Sequence, residues 1–591
     1  MLGGSGHWPV LPGDPHGRRA HEAATEWWMA AARTTGRQVA AQNGQVGRST
    51  NTDDMFPAKV VPPRARRPPG FAWRRLLGFR NSAAGFPHSA LRFPLMNPPT
   101  QKLSFREKAG YSLGDASANF VFQILIVFQA GFYTDVMGIS AASLGTMLLL
   151  VRFSDAITDP IMGIIADRTK HRWGRFRPWL LWSAIPFAVL FWLAFTVPPE
   201  SIGSRFTYAM ITYAVLMMAY TMNNVPYSAL NGVMTGDVSE RTSLSTYRFF
   251  AAMGAAFLVQ GLTLPLVTKL GGGDDAKGWS LTIALYATVA VVFFVITFLS
   301  VKERVQPPPD QKPDLKQDLR DVRANVPWLA MFFMTLFVFI TLAFRGGSTY
   351  YYFTYYVDSA ALGRFLEGLG LTAAAGTEAA RGPGYAILDA FGLIVKDGAD
   401  PSRVGFSLFL MAGNLVNIIG VLLAKPLADR FGKKAVFTIG LAGAAVVQAA
   451  WVVLKPEDVG AMFLFTVIAS LSYGPTIPLL WAMIADTADY SEWKNGRRAT
   501  GFVYAGIVFA LKAGLGLGGA FTGWVLALYG YEAATARQPE VLQGIRLMVS
   551  VYSAIPFALG VLCMLFYPIT KSLNLRIGAE LAERRQHYSL T

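Results

Sequence analysis

The chain has a single cysteine, Cys563, in 591 residues. That excludes an intrachain disulfide and a cysteine-based metal site. Histidine is almost as scarce: His7, His16, His21, His88, His171 and His587 are the six, and all lie outside the long apolar runs described below. A histidine proton relay within those runs and a histidine-rich metal site are therefore disfavoured. Charge is the third shortage. Only 15% of residues are charged while 53% are hydrophobic, a balance too apolar for a soluble protein of this size.

In place of these the sequence offers apolar runs of about 20 residues, the length that crosses a bilayer. Twelve are read, at roughly 111–134, 141–166, 178–197, 206–227, 248–270, 279–300, 327–355, 405–425, 435–454, 460–485, 500–528 and 545–569. The net charge of +16 suggests nucleic acid only until it is located, because much of it lies in alternate loops. Arg168, Lys170, Arg172, Arg175 and Arg177 follow the second span, Lys302 to Arg323 the sixth, Lys425 to Lys434 the eighth and Lys494 to Arg498 the tenth. This positive-inside pattern places those loops and both termini in the cytoplasm and leaves no nucleic-acid partner. Residues 1–95 differ from the rest: rich in Arg, Pro, Gly and Ala, and without an apolar run long enough for a signal peptide. Disorder is expected there. Two readings stay open, an upstream start chosen in place of Met96, or a basic cytoplasmic tail that binds acidic lipid or a partner.

The second span carries charges that lipid excludes. Arg152, Asp155 and Asp159 lie within 141–166, each at a cost of roughly 2.5–3.5 kcal/mol at a helix centre, so they call for a partner, an ion or a water-filled pathway. Asp155 and Asp159 are i and i+4 on one helix face, with Arg152 one turn away. Lys512, deep in the eleventh span, requires a carboxylate partner, and the Asp155/Asp159 pair is the expected one. A fixed structural ion pair is the alternative.

Repetition gives the architecture. Ala166-Asp167-Arg168 and then Gly174-Arg175 follow the second span, and Ala428-Asp429-Arg430-Phe431-Gly432-Lys433-Lys434 follows the eighth, six spans later. The reading is an all-α membrane protein of twelve transmembrane helices in two six-helix pseudo-repeats, with substrate bound between the halves. Residues 96–305 form the first half, 306–326 a cytoplasmic linker, 327–572 the second half with an external insertion at about 357–404, and 573–591 a cytoplasmic tail.

The residues that carry a family likeness are Phe132-Tyr-Thr-Asp-Val-Met-Gly138, Arg152-x-x-Asp-Ala-Ile-Thr-Asp-Pro160, Asp167-Arg168 through Trp173-Gly-Arg-Phe-Arg-Pro178, Asn224-Val-Pro226, Ala485-Asp-x-x-Asp-Tyr490 and Lys512. In these, from about Leu103 to Leu573, the chain resembles the glycoside-pentoside-hexuronide:cation symporters of the major facilitator superfamily, the group of the bacterial melibiose carriers. The resemblance implies the major facilitator fold and no enzymatic activity. It also implies cation-coupled uptake of a sugar or glycoside by alternating access, across a bacterial inner membrane. It points to Asp155, Thr158, Asp159 and Thr221 as the site of a coupling cation, Na⁺, Li⁺ or H⁺. The carboxylates and hydroxyls there supply hard oxygen ligands, and no resident metal or other cofactor is implied. The alternative for the two carboxylates is a structural network with Arg152, Arg248 or Lys512.

For substrate, Asp115, Asn119 and Gln123 draw a polar stripe along the first span, and Tyr220 and Asn224 another along the fourth. Interhelical hydrogen bonding is the other reading of the first stripe. Arg248 matches a family arginine that contacts sugar, and Trp481 and Tyr504 are candidate stacking groups. Two positions depart from the melibiose carriers: Asn119 stands where they have a sugar-binding Asp, and Ser228 where they have a Trp. Arg152 and Lys512 are expected to balance charge. Asp167, Arg168, Arg175, Asp429, Arg430, Asp486 and Asp489 are expected to form cytoplasmic gates. The partners expected are thus a small sugar or glycoside, a monovalent cation and the lipid bilayer, with the chain a monomer. Transport of a non-sugar cargo such as a lysolipid, a membrane sensor and an intramembrane enzyme are competing readings.

Overall fold

A computed structural model describes residues 102–199, 204–235, 238–304, 325–373, 383–495 and 500–590. The extension at 1–95, most of the linker at 306–326 and the basic residues 497–498 lie outside the described residues. The elements in chain order are α1 Phe105–Val136, α2 Ala141–Arg168, α3 Arg177–Ala194, α4 Arg205–Met234, α5 Val238–Gly271, α6 Asp275–Ser300, α7 Val326–Tyr356 and α8 Ser359–Gly368. They continue as α9 Pro383–Ala390, α10 Ser402–Phe431, α11 Lys433–Val453, α12 Val459–Tyr473, α13 Thr476–Asn495, α14 Thr500–Leu528, α15 Pro539–Leu565 and α16 Lys571–Leu590. The architecture is all-α: among the described residues the β content is one isolated bridge, Thr372 to Val395.

Ten segments among the described residues are long and apolar enough to cross a membrane, α12 and α13 together making one of them. The two remaining expected spans, α2 and α4, are helices of 28 and 30 residues, long enough to cross at about 1.5 Å per residue. Neither is among the ten: α2 carries Arg152, Asp155 and Asp159, and α4 a polar stretch at Thr221, Asn223 and Asn224.

Local chemistry sets the helix ends. Ser104 and Glu107 form a capping box that opens α1, the serine hydroxyl accepting from the Glu107 N–H and the glutamate accepting from the Ser104 N–H at 3.0 Å. Gly174 and Gly432, the glycines of the two matching loops, both take positive φ, 113° and 88°, a conformation that a side chain resists. The tenth span, read as continuous at 460–485, breaks at Gly474–Pro475 into α12 and α13. Proline has no N–H to donate there, and Gly474 lets the backbone of α10 approach, a Cβ on it falling 2.8 Å from the Gly420 Cα. The insertion read at about 357–404 contains two short helices, α8 and α9.

The N-terminal set packs as α1 on α5 and α6, α3 on α4 and α6, and α2 on α4. The C-terminal set packs as α7 on α14 and α15, α11 on α12 and α15, and α10 on α12. Two large contacts join the sets, α2 against α14 and α5 against α10. Glycines make the first possible. On one face of α14, Gly516 and Gly519 admit Arg152 and Leu148, and Gly523 lies on the Ala141 carbonyl and Gly145. On the other, Gly514 and Gly518 lie on the α7 backbone at Leu336 and Ile340. A Cβ at Gly514, Gly516, Gly518 or Gly523 would fall 2.4–2.8 Å from a neighbouring atom, too close to fit without movement. Gly523→Val is therefore expected to cost about 1–3 kcal/mol, seen as a lower midpoint of thermal unfolding in detergent. Gly368→Ala, whose Cβ meets nothing within 4 Å, is expected to leave the midpoint unchanged.

Candidate functional site

The charged segment of α2 faces α4 and α14. Asp159 accepts a hydrogen bond of 2.9 Å from the Thr221 hydroxyl of α4 and forms an ion pair with Lys512 of α14. Asp155, one turn earlier, is 1% exposed, and neither of its carboxylate oxygens has a hydrogen-bond partner. Its nearest cation is Arg152, at 3.7 Å, and Lys512 also lies close enough to act on its charge. The Thr158 hydroxyl is likewise buried and unbonded. Asp155, Asp159, Thr221, Arg152 and Lys512 thus converge, with two carboxylates facing two fixed cations. Toward the start of α2, a small cavity is lined by Arg152, Gln129, Tyr213, Gly519 and Thr522.

The stripe on α1 faces α5. Asp115 pairs with Arg248 at 3.1 Å, both buried, and Arg248 lies over the Tyr227 ring at 5.1 Å. Tyr227 stacks on Tyr111 at 4.6 Å, and each hydroxyl donates to the other residue's backbone carbonyl. Asn119 donates to the Asp115 carbonyl and keeps an unbonded carbonyl oxygen. Gln123 accepts from Gln260 of α5 at 2.7 Å, and Gln260 accepts from Asn414 of α10 at 2.6 Å, an amide chain that crosses between the sets. On α4, the Tyr220 hydroxyl and the Asn224 amide nitrogen are buried and unbonded, while the Asn224 oxygen accepts from Ser228. Trp481 and Tyr504 sit in the C-terminal core beside Trp328 and Met331, where Phe122 of α1 joins them.

The expected gate residues are dispersed. Asp486 pairs with Lys433 at 2.7 Å within the C-terminal set, so in this conformation that pair does not bridge the sets. Arg175 is held through its backbone: its N–H and those of Phe176 and Arg177 donate to the Glu303 carboxylate at 2.8–3.0 Å. Asp167, Arg168, Asp429 and Arg430 are exposed, and Asp489 is half-buried.

Polar contacts between the sets collect at the other end, where α1 and α7 finish. There Asp135 accepts from the hydroxyls of Tyr355, at 2.9 Å, and Tyr531, and Thr134 meets the Tyr351 hydroxyl at 2.8 Å. Sequence reading quoted Asp135 within a motif but gave it no role, and it missed Gln260, Asn414 and Glu303, whose partners lie 126 to 154 residues away. It also passed over Arg345 in α7, an intramembrane guanidinium with no ionised partner among the described residues. A lone Arg in an apolar span was the available signal.

A family model described as MFS/sugar transport protein matches residues 110–380 and 392–571. The chain belongs to that family. It is a multi-pass membrane transporter of the major facilitator superfamily and not an enzyme. Among its relatives, the inner membrane symporter YicJ of Escherichia coli (strain K12) is 35% identical over 457 residues, covering 77% of this chain and 89% of that protein. The putative glycoside/cation symporter YagG of the same organism is 32% identical, over 82% of this chain and 96% of that protein. The isoprimeverose transporter of Lactiplantibacillus pentosus is 32% identical, over 82% and 94%. A solved structure from work on proton-dependent oligopeptide transporters shares the fold at a TM-score of 0.53 and 13% identity, covering 80% of this chain and 99% of that one.

Removing one partner of a buried ion pair costs more than removing both, because the survivor is left uncompensated, about 3–5 kcal/mol when fully buried. Asp159 and Lys512 are each 19% exposed, which places them below that range. Lys512→Met is expected to lower the unfolding midpoint in detergent, and Asp159→Asn with Lys512→Met to recover part of the loss. Equal losses in the single and double variants would show that the two charges do not act as a pair.

Proposed function

We propose that the chain is a secondary transporter that carries a sugar or glycoside into the cell together with a monovalent cation, by alternating access. The observation that carries this reading is the pair of bare carboxylate oxygens on Asp155, buried in a membrane helix beside the unbonded Thr158 hydroxyl. A buried polar atom without a partner costs about 1–3 kcal/mol and more when charged, so its presence marks a place where a ligand completes the bonding. Asp155, Thr158, Asp159 and Thr221 offer four oxygen-bearing side chains, which suits Na⁺ or Li⁺; a proton on Asp155 meets the same need. Arg152 and Lys512 already balance the two carboxylates, so an arriving cation has to displace the ammonium from Asp159. Lys512 thereby acts as the stand-in that links cation occupancy to the α2–α14 contact.

The sugar is assigned to the polar atoms beside it: the Asn119 oxygen, the Gln123 and Asn224 nitrogens and the Tyr220 hydroxyl, all buried and unbonded. Arg248 and Asp115 pair with each other, which supports a role in shaping this wall. Trp481 and Tyr504 are assigned to the facing wall. Glycoside/cation symport and isoprimeverose transport in the names of relatives support the cargo class. The recurrence of one packing pattern in α1–α6 and in the C-terminal set supports twelve spans in two six-helix halves, with α2 and α4 among them. Loop charge supports cytoplasmic termini in an inner membrane. On that orientation the described conformation is closed toward the outside. Asp167, Arg168, Arg175, Asp429, Arg430, Asp486 and Asp489 are then the groups that meet when the cytoplasmic end closes.

Linkage requires that sugar raise cation affinity by the factor by which cation raises sugar affinity, typically about 5- to 150-fold. In proteoliposomes, uptake of isoprimeverose and of a glycoside panel is expected to follow an imposed Na⁺, Li⁺ or H⁺ gradient. Asp155→Asn is expected to abolish gradient-driven accumulation while the protein still inserts. Undiminished coupling in Asp155→Asn would remove the assignment of the cation site.

A further inference from the structure

Residues 381–391 fall between the two stretches that match the family model, and they contain α9. This helix, outside the matched stretches, does not hang free. Its last carbonyls, Asp389 and Ala390, accept hydrogen bonds of 2.9 and 2.8 Å from the Lys269 ammonium at the end of α5. A cation on a helix C-terminus also meets the negative end of the backbone dipole. Gly392, just past α9, has φ +74° and lies on the Pro265 carbonyl of α5, where a Cβ would come within 2.9 Å. The segment is equally fixed on its own side. The Val395 N–H donates to the Leu371 carbonyl at 2.9 Å, the Ala373 N–H donates to the Val395 carbonyl at 2.8 Å, and Leu393, Ile394 and Val395 are buried. Beside it, Arg403 at the start of α10 reaches Asp275 of α6 at 2.9 Å and the Thr268 hydroxyl of α5 at 3.1 Å.

We propose that Pro383–Val395 is an outer strap: it anchors on the C-terminal set, grips α5 of the N-terminal set through Lys269 and Pro265, and holds this end of the transporter closed. α5 and α10 meet just below it, at Gln260–Asn414 and where Gly261 admits Met411. Parting these helices to open the end pulls Pro265 and Lys269 away from α9, so the strap has to release in every cycle. A carrier lacking residues 381–391 lacks this grip. The proposal rests on alternating access but not on the identity of the cargo or the cation.

The single cysteine makes the test direct. In a Cys563→Ser background, Thr522→Cys places a thiol in the cavity at the closed end, and Ile387→Cys, on the exposed face of α9, reports which side of the membrane the strap occupies. A membrane-impermeant maleimide is applied from that side in vesicles. Lys269→Met and Gly392→Val are each expected to raise the labelling rate at Thr522→Cys roughly two- to fivefold, the scale of one charge at a helix terminus. Lys269→Arg, which keeps the donors, is expected to stay near the parent. Asp135→Ala, which removes the tyrosine-bound carboxylate without touching the strap, tests opening itself. If Asp135→Ala raises labelling while Lys269→Met and Gly392→Val do not, the strap is overturned and alternating access stands. If none of the three raises it, both are overturned.

Discussion

Four charges near the middle of the bundle have to cancel, and much of the architecture serves that requirement. Asp155 and Asp159 on α2 face Arg152 on the same helix and Lys512 on α14, in surroundings where an unpaired ion costs several kcal/mol. Lysine reaches across only because the two helices touch at backbone distance. Gly516, one turn beyond Lys512, is what admits the Arg152 side chain. Sequence composition, helix contact and electrostatics are here one constraint: a larger residue at 516 would push α14 off α2 and part the charges along with it.

The contacts that join the two sets differ by depth. At the level of α2's charges the link is ionic, Lys512 to Asp159. Toward the end where α1 and α7 finish, the links are mixed: tyrosine hydroxyls on the Asp135 carboxylate, an amide chain through Gln123, Gln260 and Asn414, α9 carbonyls on the Lys269 ammonium, and the Arg403–Asp275 ion pair. A hydrogen bond of the amide chain is worth about 0.5–1.5 kcal/mol net, and one to a charged group about 1.5–3 kcal/mol. That end is held by several separate contacts, whereas at the level of α2's charges one ion pair joins the sets.

Much of this was legible in the sequence. Apolar runs marked the helices, and the i, i+4 spacing of Asp155 and Asp159 together with the isolated Lys512 in an apolar run anticipated the groups that meet. What escaped notice depends on tertiary contact. The π-turns at Ile124–Phe128 and Phe132–Val136 of α1 carry neither proline nor a distinctive residue pattern, and form where α1 lies against α7 and α2 respectively. Gln260 and Asn414 look like ordinary polar residues in apolar spans until folding sets them side by side. Of the residues expected to form cytoplasmic gates, Asp486 is held by Lys433 of its own set, a pairing that no sequence motif pointed to. Arg345 shows the opposite failure: a charge as conspicuous as Lys512, but without a motif around it to draw the eye.

The glycine faces of α14 carry an entropic implication. Side chains that interdigitate must find compatible rotamers each time two surfaces meet, and ordering a long side chain costs up to about 2 kcal/mol. Gly519 and Gly523 bring nothing to reorder, and the α2 surface they meet includes the bare backbone at Ala141 and Gly145. At Gly523 the α2–α14 seam is backbone on backbone, so the side chains that have to be ordered when it forms are those around it, Leu148, Arg152 and Trp524 among them.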